Sequence, residues 1–115
     1  MVKKKTCVFI SGEGTNLNNL ISFSRDSNFP LIISLVISNN KEANGIKYAK
    51  KFNIPFVIIN TKIQNYENKI FYNLRKYKIS FICLAGYMKI IPANLIKNFD
   101  KKIINIHPSL LPKFK

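Results

Sequence analysis

The amino-acid sequence predicts an α/β fold: a Rossmann-like, open, mostly parallel sheet of five strands in the order 3-2-1-4-5, with helices on both faces. Short apolar runs of strand length alternate with segments whose apolar residues recur at helical spacing. The run at 79–85 is apolar almost throughout, as expected of a parallel strand covered on both faces. Alternating strands and helices imply parallel pairing with right-handed crossovers.

The predicted elements follow one another without a linker or an internal repeat. The first run is flanked by Lys and Gly, a helix follows with Leu17, Leu20 and Ile21 at helical spacing, and Pro55 separates the second helix from the third strand. Strands are expected at residues 5–11, 31–38, 55–60, 79–85 and 102–107. Helices are expected at residues 17–25, 43–52 and 66–77, with a short one from Pro92 to about Phe99.

Length and composition favour one soluble domain over residues 1–115. Hydrophobic residues make up 47% and charged residues 21% of the 115 residues, which is ordinary for a globular chain. No apolar run could span a bilayer, and the run at 7–10 is too short for a signal peptide, so we expect a cytoplasmic protein. Cys7 and Cys83 fall inside predicted strands as buried small residues, and no cluster has the ligand spacing of a metal site.

The net charge of +14 makes nucleic acid a candidate partner. The composition argues against it, because 17 of the 19 cations are lysines and nucleic-acid readers favour arginine. Lys, Ile and Asn, whose codons are A/T-rich, together supply 51 of the 115 residues. The lysines at 41, 47, 50, 51, 69, 76, 97 and 101 are spread over helices and turns, as on ordinary solvated faces. A coding bias therefore explains the charge, and nucleic-acid binding is not expected.

A glycine loop, Gly12-Glu13-Gly14-Thr15-Asn16, joins the first strand to the first helix. Glycines let the backbone approach a ligand, and a helix N-terminus offers free N–H groups, so the layout suits a phosphate. Leu17 replaces the third glycine of the dinucleotide fingerprint, and no Walker motif is present. A phosphate monoester fits better than NAD or ATP, and a plain tight turn is the alternative.

The last predicted strand carries the chain's single histidine. Asn105 and His107 are two residues apart, so they share one face of an extended strand, and Pro108 ends the pairing. Taken alone, His107 fits a histidine that merely ends a strand. If strands one and four are neighbours, however, the segments 12–16, 87–91 and 105–108 line one crevice at the carboxyl ends of the strands.

Four segments together resemble the glycinamide ribonucleotide formyltransferases, folate-dependent enzymes of purine synthesis. They are Ile10-Ser11-Gly12-Glu13-Gly14-Thr15-Asn16-Leu17, Val36-Ile37-Ser38-Asn39, Leu84-Ala85-Gly86-Tyr87-Met88-Lys89-Ile90-Ile91 and Ile104-Asn105-Ile106-His107-Pro108-Ser109-Leu110-Leu111-Pro112-Lys113. The last is typical of formyl-folate enzymes as a superfamily, and the first selects within it.

The resemblance implies a site for two small-molecule substrates, glycinamide ribonucleotide and the co-substrate 10-formyltetrahydrofolate, without a metal. Catalysis would rest on Asn105 and His107. The substrate phosphate would be bound by Gly14, Thr15 and Asn16, and the folate by Met88, Lys89, Ile90 and Ile91 with Asn105. Lys89 stands where the family commonly has arginine.

Family members continue beyond the last motif to a loop with a catalytic Asp, so the chain is expected to be an incomplete N-terminal domain, truncated at its C-terminus and inactive alone. Three alternatives stay open: a methionyl-tRNA formyltransferase, a formyltetrahydrofolate deformylase, and a non-catalytic domain that binds phosphate or a polyanion. The sequence does not fix the oligomeric state.

Overall fold

A computed structural model describes residues 2–10, 15–85, 99 and 102–106 of the chain. Along these residues run β1 (Lys4–Ile10), α1 (Thr15–Ser24), β2 (Leu31–Ser38), α2 (Gly45–Lys51), β3 (Phe56–Ile58), α3 (Tyr66–Lys76), β4 (Phe81–Ala85) and β5 (Lys102–Ile106). The eight elements agree with those predicted, and their ends differ from the prediction by two residues or fewer. The helix predicted from Pro92 lies outside the described residues except for Phe99, which is in no helix.

The five strands form one parallel sheet in the order β3-β2-β1-β4-β5, which is the predicted order. β1 is central and pairs with β2 on one side and with β4 on the other. β5 pairs with β4 along five residues, from Phe81 opposite Lys102 to Ala85 opposite Ile106. Each helix returns the chain from the carboxyl edge of the sheet to its amino edge, so helix N-termini gather at the carboxyl edge.

Two apolar layers cover the two faces of the sheet. On one face α1 and α2 pack against side chains that include Val8, Ile10 and Val36. On the other face α3 packs through Ile70 and Leu74, two of the residues that its helical spacing predicts to point inward. The layers hold the carboxyl ends of the strands in fixed register, and those ends position the site.

The alternation of β2 between the two faces is interrupted in its middle. Thr6 of β1 pairs with Ile33, but the next residue, Cys7, pairs with Leu35, so Ser34 is an extra residue on β2. A one-residue shift moves side chains to the opposite face, and Ile33 accordingly joins the α1/α2 layer whereas Leu35 joins the α3 layer. Because of the bulge, apolar side chains from both halves of β2 pack against the layers that cover the sheet.

Both cysteines are free and buried, as predicted, and they lie on opposite faces of the sheet. Burial raises the pKa of the Cys7 thiol well above its usual range, with a smaller contribution from Cys83. Burial also raises the pKa of Cys83 to about 12. Both side chains therefore act as small apolar core residues.

None of the helices in the described residues is long and apolar enough to cross a bilayer.

Candidate functional site

The carboxyl ends of β1, β4 and β5 lie side by side at one edge of the sheet. Phe9 of β1 is opposite Leu84 of β4, and Leu84 is in turn opposite Asn105 of β5. These three backbone positions form a row across the sheet, one residue before β1, β4 and β5 end. In parallel sheets the crevice outside the carboxyl ends of the strands is the usual place for a ligand.

The N-terminus of α1 lies at the same edge of the sheet. β1 ends at Ile10 and α1 begins at Thr15, so Thr15 and Asn16 occupy the first turn of the helix. The backbone N–H groups of a first turn have no partner within the helix and can bind an anion. Leu17 and Leu20 are almost completely buried against the sheet, which fixes the position of this end. Gly14 lies outside the described residues.

The catalytic pair predicted from the sequence is described only in part. The backbone of Asn105 pairs with β4 in the last strand, one residue before that strand ends. His107, Met88, Lys89, Ile90 and Ile91 lie outside the described residues. Among the predicted site residues, the fold thus brings the backbones of Thr15, Asn16 and Asn105 to the same edge.

The end of β2 adds polar groups that the sequence interpretation did not assign to the site. Ser38 pairs with Ile10 and is 1% exposed, and its hydroxyl both donates to the Asn40 carbonyl oxygen at 2.8 Å and accepts from the Asn40 N–H at 3.0 Å. The side-chain oxygen Oδ1 of Asn39 is buried and has no hydrogen-bond partner among the residues that the structure describes. A buried acceptor of this kind suits a hydroxyl or N–H donor brought by a ligand. The signal available in the sequence was the Ser-Asn pair that ends an apolar strand.

The described part of the chain contains no group of three His, Cys, Asp or Glu side chains that could hold a metal ion. The groups described in the candidate site itself, at the ends of β1, β2 and β5 and the start of α1, include the Ser38 hydroxyl, the Asn39 amide and backbone N–H groups. Such groups bind phosphates and polar organic substrates by hydrogen bonds.

Comparison with known proteins shows similarity over nearly the whole chain. The model of the family described as formyl transferase matches residues 4–115. A phosphoribosylglycinamide formyltransferase of Haemophilus influenzae is 40% identical over 117 residues, which cover 96% of this chain and 54% of that protein.

Solved structures with the same fold carry related names. The crystal structure of glycinamide ribonucleotide transformylase 1 from Geobacillus kaustophilus has a TM-score of 0.84 and 33% identity, over 98% of this chain and 62% of that one. The crystal structure of phosphoribosylglycinamide formyltransferase from Anaplasma phagocytophilum has a TM-score of 0.80 and 41% identity, over 96% and 53%.

The chain spans little more than half the length of these three proteins. The similarity extends through the glycine loop and the Asn-x-His stretch, because the family match runs to the last residue. The chain therefore belongs to the formyl transferase family.

Proposed function

We propose that the protein transfers a formyl group from 10-formyltetrahydrofolate to the amine of 5-phosphoribosylglycinamide, a step of purine biosynthesis. The observation that carries the proposal is the position of Asn105. Its backbone lies at the carboxyl edge of the sheet, in the same row as Leu84 and Phe9, and α1 begins at the same edge. The names of relatives that are about 40% identical point to the same substrate.

The phosphate of the acceptor would be bound at the start of α1. We assign this role to the backbone N–H groups of Gly14, Thr15 and Asn16. The partial positive charge of a helix N-terminus favours an anion, and its backbone N–H groups can donate hydrogen bonds to phosphate oxygens. The burial of Leu17 supports the assignment, since an anion site works best on an end that does not move.

The folate would be bound by the chain that follows β4. We assign this role to Met88, Lys89, Ile90 and Ile91, together with Asn105. β4 ends at Ala85, next to Ile106, so the segment 88–91 begins only three residues from that edge. A lysine at position 89 lacks the planar fork of an arginine, so we expect this segment to act mainly through its backbone.

The folate co-substrate, when bound, supplies the formyl group. The acceptor amine forms a bond to the formyl carbon, the bond from that carbon to the folate nitrogen breaks, and one proton leaves the amine while another joins the folate nitrogen. Asn105 donates an N–H hydrogen bond to the formyl oxygen, where negative charge develops. His107 donates a hydrogen bond as the imidazolium and then protonates the leaving nitrogen.

Two substitutions test the assignment in the full-length protein. We expect Asn105→Ala and His107→Ala each to lower kcat by about 10²–10³, because one donor to a developing oxyanion is typically worth that much. KM should change far less than kcat, and KM for 5-phosphoribosylglycinamide should stay within about threefold, since neither side chain is assigned to binding that substrate. Steady-state kinetics with 5-phosphoribosylglycinamide and 10-formyltetrahydrofolate give both constants.

Asn28→Ala is the matched control, because Asn28 is an exposed asparagine in the turn between α1 and β2, at the amino edge of the sheet. Circular dichroism of all three variants establishes that each is folded. An unchanged kcat in Asn105→Ala or His107→Ala would refute the catalytic assignment. Turnover with water or with methionyl-tRNA, and none with the ribonucleotide, would instead identify a different formyl-folate enzyme.

A further inference from the structure

The amino edge of the sheet carries most of the positive charge in the described residues. Exposed cations lie there where helices end and strands begin: Lys4, Lys5, Arg25, Lys50, Lys51, Arg75, Lys76 and Lys78. We call these eight residues the basic edge. The one described acid beside them is Asp26. At the carboxyl edge, by contrast, Lys41 and Lys62 are balanced by Glu42 and Glu67.

The described lysines named in the sequence prediction are exposed on helices and turns, as expected, but the fold gathers many of the chain's cations at one edge of the sheet. Every crossover helix of a parallel sheet ends at the amino edge, and cations are favourable near helix C-termini. The last turns of α2 and α3 each carry two cations, Lys50 with Lys51 and Arg75 with Lys76. The fold brings these pairs to one edge, where the start of β1 adds Lys4 and Lys5.

Direct contacts connect the basic edge from one element to the next. The ammonium group of Lys3 donates to the Ser24 carbonyl oxygen at 2.5 Å, which ties the start of β1 to the end of α1. The Arg25 guanidinium lies 4.9 Å from the centre of the Phe52 ring, and Lys51 Nζ lies 5.4 Å from the same ring. Cations from the ends of α1 and α2 thus meet at one aromatic side chain.

A groove of about 460 Å³ continues this surface between the end of α2, the start of β3 and the end of α3. Lys50, Asn53, Phe56 and Tyr77 line it. Lys50 Nζ is 5.7 Å from the centre of the Phe56 ring, and both Phe56 and Tyr77 are half-buried. Proteins that bind single-stranded nucleic acid use grooves in which cations contact the phosphates and aromatic rings stack on the bases. This groove has cations and aromatic rings, together with an amide.

We infer that the basic edge and its groove bind single-stranded nucleic acid, at the end of the sheet opposite to the formyl-transfer site. Successive phosphates complement the row of cations, and bases would stack on Phe56 and Tyr77 in place of the Lys50 and Lys76 ammonium groups, which lie 5.7 and 5.4 Å from the centres of these rings. An anionic membrane would share the charge complementarity. A membrane surface favours exposed apolar side chains that insert into lipid, whereas these two rings are half-buried.

Fluorescence anisotropy of the full-length protein with a labelled oligouridine tests the inference across a range of salt concentrations. We expect binding that weakens steeply as salt rises. The triple variant Lys50→Gln/Lys51→Gln/Lys76→Gln should bind at least tenfold more weakly at low salt. In a plot of log affinity against log salt concentration, its slope should be less steep by roughly 2. Three phosphate contacts are removed, and each contact on a single strand contributes about 0.7 to the slope.

Lys41→Gln/Lys47→Gln/Lys69→Gln is the matched control. It removes the same charge from exposed positions outside the basic edge, and we expect its affinity to stay within about twofold of the wild type. Tyr77→Leu, which keeps every charge, should weaken binding about fivefold through lost stacking. This second variant keeps the test valid if the triple variant does not fold, as judged by circular dichroism.

Equal weakening by the two triple variants would overturn the inference, because net charge alone would then explain the affinity. Binding without salt dependence would overturn it as well. A third contrary result would be retention by vesicles that contain phosphatidylserine together with no measurable affinity for oligouridine, which would identify a membrane surface.

Discussion

The hydroxyl group of Ser38 stabilises the backbone at the carboxyl end of β2. Its oxygen is hydrogen-bonded to both the N–H and the carbonyl oxygen of Asn40, two residues on. These backbone groups leave the sheet ladder where β2 ends, so without the hydroxyl they would lose a partner. The chain next to Ile10, and hence one wall of the candidate site, depends on this local pairing.

We expect Ser38→Ala to lower the free energy of unfolding by about 1–3 kcal/mol, because the Asn40 N–H loses its partner, whereas the Asn40 carbonyl oxygen keeps a hydrogen bond from the Ala43 N–H. Ser34→Ala is the control on the same strand. The Ser34 hydroxyl makes only a 3.4 Å hydrogen bond to the Ile32 carbonyl oxygen and is exposed to solvent, so its removal should cost no more than about 0.5 kcal/mol. Urea denaturation of the full-length protein measures both, and equal costs would contradict this role of Ser38.

At the residue scale, the sequence allowed the backbone position of Asn105 to be predicted but not the polar groups at the end of β2. Asn105 stands in a β-branched run that ends at a proline, a pattern that local backbone preferences determine. The burial of Ser38 and of Asn39 Oδ1 depends on how β2 packs against its neighbours. Such tertiary burial has no counterpart in local sequence pattern.

At the element scale, periodicity predicted the helices and strands, but not the bulge at Ser34. The apolar spacing in α3 matches the buried positions Ile70 and Leu74 because one helix face meets the sheet. In β2 the apolar residues are nearly continuous, so the sequence contains no alternation whose interruption could be read. The extra residue becomes visible only in the pairing with β1.

The contact between β1 and α1 shows how a charge stabilises the junction of two elements. Lys3 Nζ donates to the carbonyl oxygens of Ser24 and Asp26 at 2.5 and 2.6 Å, at the C-terminus of α1. A cation satisfies carbonyl groups there that have no partner within the helix and interacts favourably with the helix dipole. Because three lysines follow one another at the start of the chain, their pattern did not indicate which of them would bind the end of α1.

We expect Lys3→Gln to lower the free energy of unfolding by about 1 kcal/mol, since it removes a cation that is hydrogen-bonded at a helix C-terminus. The neighbouring Lys4→Gln is the control, because Lys4 is exposed and its substitution removes the same charge. Thermal denaturation should give a lower Tm for Lys3→Gln and a nearly unchanged Tm for Lys4→Gln. A common shift in both would mean that net charge, not the contact, sets the effect.

At the scale of the whole molecule, the strand order could be predicted from the alternation of strands and helices, and that order defines the edge at which the candidate site lies. The gathering of cations at the amino edge could not be predicted in this way. Parallel crossovers have one common hand, so alternating strands and helices restrict the sheet to few arrangements. The chain passes from one edge of the sheet to the other several times. Cations such as Lys4, Lys51 and Lys78 are therefore far apart in the sequence, and they come together at the amino edge only in the folded chain.

The 115-residue polypeptide on its own is expected to transfer formyl groups at less than about 1% of the rate of a full-length relative. The relatives are nearly twice as long, so residues that they hold beyond the matched part are missing from this polypeptide. General acid catalysis by a histidine requires the imidazolium form, which a neighbouring carboxylate favours. The rate is measured by the absorbance change as tetrahydrofolate forms, and the Haemophilus influenzae enzyme is the reference. A turnover rate within tenfold of that enzyme would show that residues 1–115 suffice for catalysis.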